Sequence, residues 1–153
     1  MLPVNIDKKG FRGWAFKLGK LYHTGYDFNC GLGAIVLSVA PGTVLFSSQI
    51  VTGFGGYPNI PGGVLIIRHY DKKGSTFIGF YGHVESDMIE DENVIRGQKL
   101  GHVHQYISAG LELPHLHYGI NEFNAIPESP WGYVSNLAKY GWVDPIKFHK
   151  NNL

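Results

Sequence analysis

The chain has few of the features that mark disulfide scaffolds, nucleic-acid binders or membrane proteins. Its one cysteine, Cys30, cannot form an intramolecular disulfide and is predicted to be a small buried side chain. Thirteen Lys and Arg against twelve Asp and Glu give a formal net charge of +1, which provides no general attraction for nucleic acid or anionic lipid. No apolar run approaches the length of a membrane span, and residues 1–20 lack the apolar stretch of a secretory signal. We therefore expect neither a nucleic-acid partner nor a membrane span.

The composition that is present is typical of a folded domain rich in strands. The 153 residues are 44% hydrophobic and 14% aromatic but only 16% charged, so the chain is able to bury a core as one domain. Twenty-one glycines and eight prolines without a three-residue period favour many tight turns between short strands. Residues 1–20 mix basic and aromatic side chains in no clear period. They are predicted to form a lead-in to a domain of residues 21–153.

Short runs of strand-forming residues alternate with turn residues along the chain. The predicted strands are 35–40, 43–46, 64–69, 76–81 and 116–120, with a hairpin loop at 71–74. The Gly- and Pro-rich residues 52–63 are predicted to form a mobile wall beside a cleft. The clearest helix signal is at residues 130–140, where Ser129 is placed as the N-cap and Gly141 as the stop. The fold class is thus mainly β, a single antiparallel β domain with one short C-terminal helix.

Two of the eight histidines lie on one face of a predicted strand near the end of the domain. In residues 113–120 the strand period of two places Leu116, Tyr118 and Ile120 on one face and His115 with His117 on the other. One face is therefore expected to join the core while the other presents two imidazoles.

A histidine and a carboxylate share a face in the same way near the start of the domain. In residues 21–28 His23 and Asp27 lie opposite Tyr22, Tyr26 and Phe28. This spacing also fits one helix face, but a glycine and the flanking aromatics favour an extended chain. Two imidazoles and one carboxylate are typical of catalytic zinc, where a fourth position holds water whose pKa falls to about 7.

The order of these motifs resembles a known enzyme family. His23 and Asp27 form H-x-x-x-D, His115 and His117 form H-x-H, and together they resemble the lysostaphin-type zinc metallopeptidases of family M23. Matching segments follow in the same order at 39–44, 64–69, 81–83, 97–101 and 143–145. The resemblance covers residues 22–145 and implies the lysostaphin-type catalytic fold, a duplicated hybrid motif whose strands frame a narrow groove.

The resemblance also implies a site and an activity. His23, Asp27 and His117 would bind one Zn²⁺ per chain, His115 would act as general base or orient the water, and His83 would steady the developing oxyanion. The implied function is a zinc-dependent endopeptidase that cleaves peptide cross-links of bacterial peptidoglycan. Such a substrate implies a periplasmic, extracellular or cell-wall location.

A second class of function stays open at this point. The same fold also serves in non-catalytic zinc-binding modules that activate cell-wall hydrolases or act as extracellular interaction proteins. The vertebrate members of that class are disulfide-bonded, which a lone cysteine cannot reproduce. The presence of all five site residues favours an enzyme.

Other histidines and one segment have no place in this scheme. His102 and His104 form a second H-x-H without a paired carboxylate motif, and they are interpreted as unrelated to the site, with an adventitious metal or altered specificity as the alternative. His69 is predicted to be a strand-end imidazole bonded to a neighbour, and His149 to be solvated. Residues 122–142 are longer than a minimal version of the fold needs, and no role is assigned to them.

Overall fold

The computed structural model describes residues 2–4, 13–48, 63–104, 107–108, 111–112, 114–127 and 131–153. Short strands dominate these residues, and one helix closes the chain. The elements are β1 (Lys17–Leu18), β2 (Leu21–His23), β3 (Gly25–Asn29), β4 (Ile35–Leu37), β5 (Gly42–Ser48), β6 (Val64–Tyr70), β7 (Thr76–Gly82), β8 (Val84–Glu85), β9 (Asn93–Val94), β10 (Lys99–Val103), β11 (Ile107–Ser108), β12 (Leu111–Glu112), β13 (His115–Asn121), β14 (Tyr133–Val134), β15 (Trp142–Val143) and α1 (Pro145–Asn152).

One large antiparallel sheet organises the molecule. Its strands run in the order β15-β13-β7-β6-β5-β9. The strand β3 also pairs with β13, through residues 115–119, next to the two residues of β13 that pair with β15. Two three-stranded sheets, β1-β2-β14 and β4-β10-β8, and the hairpin β11-β12 complete the described structure. The predicted loop at 71–74 joins β6 to β7, where the Asp71 carboxylate accepts hydrogen bonds from the Lys73 and Ser75 amides. All five predicted strands correspond to observed ones, although the first ends at Leu37.

The large sheet is buried on both faces. In β6, Leu65 and Ile67 join the main core together with residues of the β4-β10-β8 sheet. The alternate residues Val64 and Ile66 join a second cluster on the opposite face with Trp142. Burial on both faces explains why β6 is a continuous apolar run rather than an alternating one.

The helix prediction for residues 130–140 is wrong. The described part, residues 131–140, forms β14 and then turns, in which the Tyr140 amide donates to the Leu137 carbonyl. Tyr133 and Val134 pair with β2, and this tertiary pairing overrides a weak local preference for helix. Gly141 does adopt a left-handed conformation, with φ of 75°, but it closes a turn.

The C-terminal helix exists fifteen residues further along and uses the same type of start signal. Asp144 is the N-cap of α1, its carboxylate accepts from the amides of Ile146 and Lys147, and Pro145 occupies the first turn. With eight residues, α1 is too short to cross a bilayer, and no longer helix is found in the part of the chain that the structure describes.

Residues of the predicted lead-in contact the rest of the fold where the structure describes them. Val4 is buried in the main core, the Pro3 carbonyl accepts from the Leu37 amide, and β1 pairs with β2. The boundary at residue 20 stays a prediction. The predicted wall at 52–63 lies outside the described residues except for Gly63.

Candidate metal centre and active site

Strand pairing brings together three of the predicted site residues. In the antiparallel pair of β3 and β13, Asp27 lies directly opposite His117, so both side chains project from the same face. His23 ends β2, and a single residue separates it from β3. The chain from His23 to Asp27 is therefore extended, which resolves the alternative of a shared helix face.

The ligand atoms of these three residues form a compact triangle. Asp27 Oδ1 lies 3.0 Å from His117 Nδ1 and 3.2 Å from His23 Nε2, and the two nitrogens are 3.0 Å apart. A tetrahedral zinc ion with bonds of about 2.0–2.2 Å holds its ligand atoms about 3.3 Å apart. The donor set and its spacing therefore fit a zinc ion, and no other group of three such side chains in the described residues is as close.

Contacts behind the cluster orient both imidazoles. His23 Nδ1 lies 3.1 Å from the Gly13 carbonyl oxygen, which can only accept a hydrogen bond. His23 Nδ1 therefore carries the proton, and Nε2 presents its lone pair to the cluster. His117 Nε2 lies 3.4 Å from Thr24 Oγ1, so its Nδ1 faces Asp27.

Burial and hydrogen bonding set the charge of the cluster. Burial by itself raises the pKa of the Asp27 carboxyl, but the contacts of this carboxylate with the His117 and His23 imidazoles outweigh it and hold that pKa well below its usual range. Burial lowers the pKa of His117 to about 4, despite the opposing effect of Asp27. At neutral pH the cluster thus combines an ionised carboxylate with a neutral His117, the protonation state that metal binding requires.

The two remaining predicted residues lie beside this cluster. His115 Nε2 is 3.9 Å from Asp27 Oδ1, and the His115 and His83 rings meet edge to face with centroids 4.5 Å apart. Burial, with the neighbouring imidazoles, holds the pKa of His83 well below its usual range, so His83 is neutral at pH 7. The structure therefore brings all five predicted residues into one buried group.

His83 has a backbone conformation that is uncommon for a residue with a side chain. It follows β7 with φ of 61°, in the left-handed region. Its carbonyl accepts a hydrogen bond of 2.8 Å from the His104 amide, which ties this turn to the end of β10. Such strain occurs where the surrounding structure fixes a side chain for a function.

Part of the segment without an assigned role covers the centre. The Thr24 amide donates to the Gly132 carbonyl, and β14 pairs with β2 so that Tyr133 lies opposite His23. The Tyr133 ring packs against the His23 ring, with their centroids 5.1 Å apart. Residues 131–134 therefore form a wall of the candidate site, which the sequence alone does not indicate.

Gly25 permits the close approach of β3 to β13 behind the ligands. A Cβ at Gly25 would lie 2.5 Å from the Tyr118 carbonyl oxygen and 2.9 Å from His117 Nε2. Any larger residue would push the strands apart or displace His117. The role of Gly25 depends on strand pairing, so only knowledge of that pairing would have identified it.

His102 and His104 belong to no sequence motif that includes a carboxylate, but the fold places a carboxylate beside both of them. β10 pairs with β8 so that His102 lies opposite Glu85, and the Glu85 carboxylate lies within 3.3 Å of both imidazoles. Glu85 follows His83 by two residues, but no spacing rule connects it to a motif seventeen positions later. Only the strand register reveals the cluster.

Of the predictions for His69 and His149, the first is confirmed and the second is wrong. His69 is bonded as predicted, with Nδ1 2.9 Å from the Ala40 carbonyl and Nε2 2.9 Å from the Tyr81 hydroxyl. The expectation that His149 is solvated is wrong, because it is half-buried and its Nε2 lies 3.0 Å from the Tyr118 hydroxyl. Cys30 is buried, as predicted.

Comparison with solved structures identifies several proteins of similar fold. The catalytic domain of the antimicrobial peptidase lysostaphin from Staphylococcus simulans is 22% identical, with a TM-score of 0.59 over 94% of this chain and 92% of that chain. A zinc-containing peptidase from Vibrio cholerae is 24% identical, with a TM-score of 0.55 over 78% of this chain and 36% of that one. Helicobacter pylori Csd3 is 20% identical, with a TM-score of 0.52 over 78% of this chain and 28% of that one. The predicted lysostaphin-type fold is confirmed.

The remaining comparisons concern sequence. A search of curated proteins gives no match. The family model for peptidase family M23 matches residues 21–130, well over half of the chain and including all five predicted site residues. This chain belongs to peptidase family M23.

Proposed function

We propose that this protein is a zinc-dependent endopeptidase that cleaves the peptide cross-links of bacterial peptidoglycan with a metal-activated water. The observation that carries the proposal is the buried triangle of His23 Nε2, Asp27 Oδ1 and His117 Nδ1, with sides of 3.0–3.2 Å. The family assignment and the likeness to a peptidase described as zinc-containing support the same conclusion.

His23, Asp27 and His117 would hold the ion through these three atoms. When bound there, zinc polarises the scissile carbonyl and lowers the pKa of a coordinated water to about 7. The Gly13 carbonyl and Thr24 hydroxyl keep the two imidazoles oriented, so they contribute to affinity without touching the ion.

His115 and His83 supply the proton transfer and the charge stabilisation. His115 lies against Asp27 and accepts a proton from the attacking water as oxygen adds to the carbonyl carbon. That proton then passes to the departing amine nitrogen as the C–N bond breaks. His83, neutral because it is buried, donates an N–H to the developing oxyanion.

The proposed substrate class and location are supported by the family assignment and rest on no contact in this chain. Lysostaphin is described as an antimicrobial peptidase, and a second protein of similar fold as a prophage-encoded M23 protein from Enterococcus faecalis. Action on cross-linked wall peptides would require a periplasmic, extracellular or cell-wall location.

Digestion of purified peptidoglycan tests this function directly. Wild-type protein, a chelated sample and His117→Ala would be compared by mass analysis of released fragments, with His149→Gln as a control that replaces a histidine of α1 outside the site. We expect new amino termini with wild type and His149→Gln only, restored to the chelated sample by zinc. Stoichiometric zinc binding with intact cross-links would instead favour the non-catalytic module.

A further inference from the structure

We infer that Glu85, His102 and His104 form a second divalent-cation site, separate from the buried centre and selective for metals that prefer imidazole, such as Zn²⁺, Ni²⁺ or Cu²⁺. Its occupant is the free metal ion. The inference concerns residues that the proposed peptidase mechanism does not use, so it does not depend on that function.

The strand register creates this cluster. His102 lies in β10 and His104 directly follows the last residue of that strand, Val103, and both imidazoles approach the same Glu85 carboxylate. β8 pairs with β10, and Glu85 lies directly opposite His102. The Glu85 Oε2 atom lies 3.2 Å from His102 Nε2 and 3.3 Å from His104 Nδ1.

These separations match those of ligand atoms that share one metal ion. Two atoms bound at about 2.0–2.2 Å with tetrahedral angles lie about 3.3 Å apart, the same as each Glu85–histidine distance here. Two imidazoles with one carboxylate also form a recurring set in zinc proteins, with further positions left for water. The carboxylate supplies the negative charge and the imidazoles supply the preference for Zn²⁺, Ni²⁺ and Cu²⁺ over Mg²⁺ or Ca²⁺.

The His102 and His104 side chains must move toward each other when the ion binds. The buried centre is the one described group whose three ligand atoms already lie within 4.8 Å of one another. His102 and His104 are 43% and 36% exposed, so their side chains are free to rotate toward each other around Glu85. Because that ordering costs conformational entropy, the second ion binds more weakly than the first.

Space beside the cluster accommodates the remaining ligands. A cavity of about 390 Å³ is lined by Glu85 and His102 together with Asp87, Lys99 and six neighbouring residues. Its openness to solvent allows water to complete the coordination sphere. His104 does not line this cavity, but all three side chains are exposed enough for an ion to reach the cluster from solution.

Measurement of the bound zinc per chain at increasing free Zn²⁺ tests the inference. Protein loaded with one equivalent of Zn²⁺ would be dialysed against increasing free Zn²⁺, and the bound metal would be measured per chain. We expect a second equivalent for wild type. Glu85→Gln and the double variant His102→Gln/His104→Gln should lose at least about tenfold in affinity for the second ion while retaining the first. Glu90→Gln, which removes another exposed carboxylate, should bind both ions as wild type does.

Nitrogen-15 NMR of the histidine side chains assigns the bound ion to its ligands. Addition of the second equivalent should shift the ring nitrogens of His102 and His104 and leave those of His69 unchanged. In His117→Ala, where the first site is lost, the same shifts should persist, which separates this site from the proposed peptidase centre. A single equivalent in wild type at millimolar Zn²⁺, or undiminished second binding in Glu85→Gln, would overturn the inference.

Discussion

Two clusters in this protein contain the same groups, two imidazoles and one carboxylate, and in each one the carboxylate lies opposite a histidine on a paired antiparallel strand. In the first, the side chains of His23, Asp27 and His117 are 1%, 4% and 4% exposed. In the second, Glu85 is 52% exposed and its two histidines more than a third. Only the buried cluster brings all three ligand atoms within 4.8 Å of one another. The difference teaches that burial and outer hydrogen bonds, rather than residue type and spacing, preorganise a metal centre.

Removal of the buried carboxylate should have the largest effect. Asp27→Asn keeps the shape of the side chain but removes the charge that two imidazoles share. Loss of an outer partner typically costs about 10–100-fold in metal affinity or activity, so loss of this ligand should cost more than about 100-fold. Metal stoichiometry and peptidoglycan hydrolysis measure both effects. Asp91→Asn, on an exposed turn, is the matched control, and activity of Asp27→Asn within tenfold of wild type would contradict the role of Asp27.

His69 shows what burial does to an imidazole without a carboxylate. Burial lowers the pKa of His69 to about 4 from 6.5, only partly offset by the Pro41 and Ala40 carbonyls, and the nearby His149 lowers it further. Between pH 6.5 and 4 the unfolded chain therefore binds a proton at this residue that the folded protein does not. The stability contribution is fully present above pH 6.5 and is lost as the pH falls to about 4, by about 3 kcal/mol.

Chemical denaturation across this pH range measures the effect of His69. In His69→Gln the free energy of unfolding should fall less steeply between pH 6.5 and 4 than in wild type, because Gln does not titrate. The comparison uses slopes, so it holds even if the variant is less stable at pH 7. Parallel curves for the two proteins would show that His69 does not carry this dependence.

The packing behind the buried centre should be sensitive to one added methyl group. In Gly25→Ala the new Cβ would meet backbone oxygen at 2.5 Å, and the strain should lower the free energy of unfolding by about 1–3 kcal/mol. Zinc affinity should fall as well, because His117 Nε2 lies 2.9 Å from the same position. Gly31→Ala is the matched control, since no atom lies within 4 Å of a Cβ there. Equal urea midpoints for the two variants would count against this account.

The exposed cluster should contribute little to stability without metal. Glu85→Gln removes the carboxylate from two solvent-exposed contacts, and surface changes of this kind usually alter the free energy of unfolding by less than about 0.5 kcal/mol. Thermal unfolding with a chelator present measures this value. A decrease in the free energy of unfolding of about 2 kcal/mol or more, about four times that limit, would show that Glu85 stabilises the fold without metal. The buried and exposed clusters would then differ less than we state.

The strand period and the family resemblance together predicted the residues of the buried centre, but not the contacts that support them. Alternation along β13 separates His115 and His117 from Leu116, Tyr118 and Ile120, and the structure has the same division. The face that carries these two imidazoles follows from the strand period, whereas the choice of His23, Asp27 and His117 as ligands and the inclusion of His83 came from the family resemblance.

The supports depend on contacts that no local pattern encodes. The Gly13 carbonyl, the Thr24 hydroxyl and Tyr133 meet the ligands through loops and strand pairings far apart in sequence. The wrong helix prediction for residues 130–140 also results from contacts that the local sequence does not encode. Ser129-Pro130 and Asp144-Pro145 present the same start signal, and the pairing of β14 with β2 helps to exclude a helix at the first.

The contacts of β14 also determine how far the chain can be shortened at its C-terminal end. The family match ends at residue 130, yet the Gly132 carbonyl accepts from the Thr24 amide and the Tyr133 ring packs on His23. Trp142 also packs on Gly119 of the strand that carries His117. A shortened version that stops at the edge of the match would retain His23, Asp27 and His117 but leave His23 open to solvent on one side. A version of this protein trimmed for expression or grafted into a chimera should therefore keep the chain at least through β15.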